Sequence, residues 1–80
     1  MDENTKKKIL KLLSKAKKEN PENPAVSCND LEDELNMDDH ELDVYIRDLE
    51  YRGYIEYEGS KTYDGQDITL TAKGEKIVKN

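Results

Sequence analysis

The chain has 80 residues, of which 40% are charged and 34% hydrophobic, and its formal net charge is −6. That length holds one domain with a single small core and leaves no room for a separate catalytic or sensory domain. No apolar run approaches the roughly 20 residues that span a bilayer, and no signal-peptide core follows the lysine-rich start, so a cytoplasmic protein with no membrane segment is expected.

The apolar residues recur at regular intervals, which argues for a folded domain in spite of the charge content. A first helix is predicted over residues 5–19. Ile9, Leu12, Leu13 and Ala16, spaced by three and four, mark its buried face, with Leu10 flanking it. Asn4 or Thr5 is expected to cap its amino end, and Pro21 and Pro24 stop it. Residues 25–27 then read as a short extended segment.

Ser27 or Asn29 caps a short second helix whose inward residues are Leu31 and Leu35, with Asp30 or Glu32 placed to complete a reciprocal bond to the cap. Asn36 closes it, because asparagine tolerates the left-handed conformation that a tight turn demands. Met37 turns toward the core, and Asp38 with Glu41 three positions later makes a second capping signature. Two capped helices joined this closely make a helix-turn-helix. The helix that begins at about Asp39 sends Leu42, Tyr45, Ile46 and Leu49 inward and terminates at Gly53. Its opposite side carries His40, Val44, Arg47 and Tyr51, with Asp43 and Asp48 beside them.

Beyond Gly53, Ile55 and Tyr57 alternate with Tyr54, Glu56 and Glu58, and later Ile68 and Leu70 alternate with Asp67 and Thr69, the pattern of two half-buried strands. Residues 59–66 form the intervening loop, in which Asp64-Gly65 is a hairpin-turn dipeptide. Thr71 is expected to cap a last short helix over residues 72–78 that buries Ile77 and, beside it, Val78.

The run Leu49-Glu50-Tyr51-Arg52-Gly53-Tyr54-Ile55, followed by Ile68-Thr69-Leu70-Thr71-Ala72-Lys73-Gly74, resembles winged helix-turn-helix regulators of the multiple-antibiotic-resistance type and their phenolic-acid-regulator and archaeal relatives. In those families a leucine-glutamate pair, a basic residue, a glycine and an aliphatic residue lead into the wing, and leucine-threonine followed by glycine leads out. The resemblance implies an α+β fold: a single winged helix-turn-helix domain over residues 1–80, with three helices, a wing hairpin of two to three antiparallel strands and a short C-terminal helix. It also implies a transcriptional regulator with double-stranded DNA as partner, the outer face of residues 39–52 reading base edges and the wing touching phosphate or the minor groove. His40, Arg47 and Tyr51 would then reach bases, with Asp43 and Val44 on the same face. Arg52 and Lys61 would meet phosphates, and Tyr63 near the wing tip would contact the partner. Those regulators often carry an arginine near an aspartate in the wing, where this chain offers Lys61. They also dimerise through longer terminal helices, so a homodimer here would form through the first helix or another face.

Charge pulls against that docking mode. Residues 27–58 hold twelve acidic side chains against Arg47 and Arg52, a net of −10, whereas residues 1–20 hold seven lysines against three acids, a net of +4. A docking face short of Lys and Arg forfeits the counterion release that supplies most nonspecific DNA affinity. Arg47, Arg52, Lys61, Lys73 and the lysines at 6–8 would have to assemble a local basic patch on folding. A protein partner on the acidic helix-turn-helix face is therefore the alternative reading, with Val44, Arg47 and Tyr51 supplying interface chemistry.

Neither an enzyme nor a cofactor is expected. The chain shows no nucleophile spaced to a histidine, no phosphate-cradling glycine loop and no carboxylate pair in an apolar setting. Asp38, Asp39, His40 and Glu41 are consecutive at a helix start and point in different directions, so no metal site is expected either. Cys28, the single cysteine, has no basic neighbour in sequence to lower its pKa and reads as a bystander thiol rather than a redox sensor.

Overall fold

The computed structural model describes residues 2–58 and 67–79. Among the described residues, four helices and three strands follow one another as α1 (Glu3–Glu19), β1 (Val26–Ser27), α2 (Cys28–Leu35), α3 (Asp39–Tyr51), β2 (Ile55–Glu58), β3 (Asp67–Leu70) and α4 (Ala72–Lys79), an α+β arrangement. The expected loop at 59–66, with Lys61, Tyr63 and the Asp64-Gly65 turn, lies outside the described residues.

Helix α1 starts two residues earlier than its sequence suggests, because Asp2 and not Asn4 or Thr5 caps it. One Asp2 carboxylate oxygen accepts the Asn4 N–H at 3.0 Å and the other accepts the Thr5 hydroxyl at 3.0 Å. A carboxylate at a helix amino end satisfies an orphan donor and meets the positive end of the dipole. The buried stripe also turns: Lys6, Ile9, Leu10 and Leu13 are inside, while Leu12 and Ala16 are only half-buried. Both β3 and α4 pack on α1, and α4 covers the Leu10 side.

The turn between α2 and α3 follows its sequence signals. Ser27 Oγ accepts the Asp30 N–H at 3.1 Å to start α2, and Asn36 ends it at φ 54°, ψ 48°. Asp38 then accepts the Glu41 N–H at 2.7 Å to start α3. Gly53, at φ 82°, terminates α3, and the N–H groups of Gly53 and Tyr54 donate back to the Glu50 and Leu49 carbonyls at 3.0 Å each.

The sheet is antiparallel with strand order β1-β3-β2, Ile68 standing between Val26 and Tyr57, and Leu70 opposite Ile55. Ile55, Ile68 and Leu70 enter the core with Leu31, Leu42, Ile46 and Leu49. Thr69, expected to face out, is buried as well, on the strand against which α1 and α4 pack.

Helix α4 is set by two contacts. Thr71 Oγ accepts the Gly74 N–H at 3.1 Å and donates to the Gly53 carbonyl at 2.6 Å, which ties the start of α4 to the end of α3. Gly74 sits so close to the Tyr54 carbonyl and the Leu70 side chain that a Cβ would collide with both. With Gly74 inward, Val78 four residues later points inward too and packs on the core, and Ile77, expected to be buried, is 38% exposed.

Candidate functional site

Helix α3 is pressed inward by Leu42, Tyr45, Ile46 and Leu49, so its opposite side must face away from the core. There His40, Val44, Arg47 and Tyr51 are all exposed, Val44 by 53% and Tyr51 by 90%. Steps of four, three and four residues align them in one row. Neither Val44 nor Tyr51 folds back under a neighbouring segment. Asp43 is half-buried beside that row, and Arg52 is exposed just past the helix end.

Contacts with α1 hold this helix in place. The Asp2 N–H donates to the Tyr45 hydroxyl at 3.1 Å. The Lys6 side chain is only 11% exposed, and its ammonium meets the Asp48 carboxylate at 3.1 Å and Glu3 at 3.7 Å. Asp48 receives Arg52 as well, Nε to Oδ2 at 2.9 Å. The Lys6 hydrogen bond holds the Asp48 carboxyl below its ordinary value near 3.8, against the opposing effect of burial and with help from Arg52. Sequence reasoning counted Lys6 among the surface lysines. Its place one turn before Ile9 and Leu10, inside the buried stripe, was the signal that could have identified it.

Among the described residues, Arg47, Arg52, Lys6 and Lys73, all offered for a phosphate-binding patch, each meet a partner within the chain. Arg47 Nε lies 2.8 Å from Asp43, Arg52 and Lys6 share Asp48, and the Lys73 ammonium stands 5.4 Å from the centre of the Tyr54 ring. Each arginine of α3 and its C-cap is therefore matched by a carboxylate one turn earlier on the same helix. Lys61 and Tyr63 lie outside the described residues.

Cys28 is fully buried, and burial pushes its thiol up to about 11, with Glu32, Asp43 and Asp67 adding to the shift. A thiol that is shielded and protonated at neutral pH is a poor nucleophile. Among the described residues, no three His, Cys, Asp or Glu side chains converge as a metal site, and no helix is long and apolar enough to cross a membrane.

No protein-family model matches the chain, and neither a curated protein nor a solved structure matches it.

Proposed function

We propose that this chain is a winged-helix protein-recognition module whose α3 outer face docks a cationic protein surface. The observation that carries the reading is the acidic field of α3, five carboxylates against the single Arg47, which is itself paired with Asp43. Breaking one such exposed pair costs at most about 1 kcal/mol, and an arginine forked onto guanine returns about 1–3 kcal/mol, so the pair alone is no obstacle to DNA. The surrounding field decides. Helices α2 and α3 together carry nine carboxylates and a single arginine. The five α3 carboxylates stand on the helix that docked phosphates would approach, with little counterion release to offset the repulsion. A basic protein surface gains from the same field, and the exposed Val44 and Tyr51 offer the apolar and aromatic centre that interface hot spots favour.

Duplex DNA is the second reading. It rests on the uncovered row His40, Arg47 and Tyr51 on a helix that follows a tight turn, together with the resemblance to winged-helix regulators. Amide chemical shifts of the labelled chain, followed during titration with a lysine-rich peptide and separately with a random-sequence duplex, distinguish the two. The peptide is expected to shift Val44, Arg47 and Tyr51, and Tyr51→Ala to weaken its binding by roughly tenfold, the scale of a hot-spot truncation. Duplex-induced shifts at those three residues at about 0.1 M salt, with none from the peptide, would overturn the proposal in favour of DNA.

A further inference from the structure

A second surface lies between α1 and α2, with Glu41 of α3 at one end. Three adjoining hollows of about 390, 290 and 340 Å³ share Leu12, Lys15, Glu34, Lys8 and Leu35 among their walls and so form one continuous groove. Its α1 wall runs from Thr5 to Glu19, which at 1.5 Å per residue is roughly 20 Å, or about four helical turns. Leu12, Ala16, Val26, Leu35 and Met37 supply its apolar floor, each half-buried, and all but Ala16 pack against the core. This floor is why Leu12 and Ala16, with helical spacing toward the core, stop short of full burial.

The two rims carry opposite charge. Lys8, Lys11 and Lys15 stand along the α1 side and Asp30, Asp33 and Glu34 along the α2 side, all exposed. None of these six makes an ion pair with another described residue. Ion pairs across the gap would close it; instead both rims are available to a third body.

We propose that this groove docks an amphipathic α-helix of a partner protein, its apolar ridge seated on Leu12 and Leu35, its acidic edge against the lysines of α1 and its basic edge against the carboxylates of α2. The α1 wall is about as long as a four-turn helix and is floored by apolar side chains, as in recognition of an amphipathic helix by a groove. The charge arrangement selects the partner: an all-acidic helix meets repulsion from α2 and an all-basic one from α1, whereas a mixed helix satisfies both rims. A second copy of this chain fits less well, because its own α1 would bring a lysine row against a lysine row. The lining of the groove does not include Val44, Arg47 or Tyr51, so this proposal stands or falls apart from the α3 reading.

Three designed helical peptides of about 16 residues test the proposal against the full chain, sharing one leucine ridge and differing only in their edges: glutamate and lysine, glutamate on both, or lysine on both. Because a helix turned end for end exchanges its edges, the direction of the mixed peptide need not be chosen. The mixed peptide is expected to bind roughly tenfold more tightly than either of the others and to shift the amides of Leu12, Val26 and Leu35. Replacing Lys8, Lys11 and Lys15 by glutamate should transfer the preference to the all-lysine peptide, and the exposed pair Asp33→Lys and Glu34→Lys should transfer it to the all-glutamate peptide. Equal binding of all three peptides, or no shift at the groove residues, would overturn the proposal. Shifts confined to Val44, Arg47 and Tyr51 would overturn it too while supporting the α3 reading, so the two proposals fail separately.

Discussion

Asp48 shows how one side chain joins two helices. It receives Lys6 from α1 and Arg52 from the end of its own helix, and its carboxyl is held below the ordinary aspartate value chiefly by Lys6. A carboxyl depressed on folding stabilises the fold at pH values above its unfolded pKa, and that contribution disappears as pH falls through the lower folded value. Thermal stability should therefore drop on acidification below about pH 4, the unfolded aspartate range. Asp48→Asn should lower the melting temperature at neutral pH, because the nearly buried Lys6 loses its shorter ion pair, and should flatten the acid side of the stability profile. Melting curves from pH 7 down to about 3 check both effects; an unchanged acid limb would assign the acid sensitivity to other carboxylates.

Among the elements, the turn between α2 and α3 depends most on a single backbone conformation. Asn36 occupies the left-handed region, and the N–H groups of Asn36 and Met37 both donate to the Glu32 carbonyl, the latter at 3.1 Å, so α2 stops and α3 can start three residues later. Asn36→Gly should change stability by no more than a few tenths of a kcal/mol, and Asn36→Val, which places a branched side chain in that region, should cost about 1–2 kcal/mol. Urea unfolding measures both. The capping signals at Ser27 and Asp38 were legible because side-chain oxygens at fixed offsets from helical N–H groups depend only on local sequence. The start of α1 was less legible, since Asp2, Asn4 and Thr5 are all competent caps and the choice rests on which one satisfies more donors once folded.

For the whole molecule, the separation of core from recognition face predicts that stability and binding respond to different residues. Ile46 is fully buried in the cluster shared by α1, α3 and the sheet, and Ile46→Ala should cost about 2–5 kcal/mol, a large part of the roughly 5–15 kcal/mol that holds such domains folded. Tyr51 is 90% exposed, so Tyr51→Ala should alter stability by less than about 0.5 kcal/mol while weakening partner binding. Denaturant unfolding of the two variants beside the unaltered chain tests the separation. A large loss of stability in Tyr51→Ala would place that ring in a packing role.

Periodicity alone was sufficient to find α3 and divide it into an inner face at Leu42, Tyr45, Ile46 and Leu49 and an outer one at His40, Val44, Arg47 and Tyr51, because a helix of 13 residues samples each face several times. It could not place Ile77 and Val78, which are adjacent on an 8-residue helix whose rotation is set by Gly74 meeting Tyr54. Nor could it show that Asp48 would arrive to meet Lys6 while Lys8, Lys11 and Lys15 lined a groove. Those outcomes depend on contacts between residues tens of positions apart, and a local pattern carries no record of which distant side chain will arrive to satisfy a charge or occupy a space.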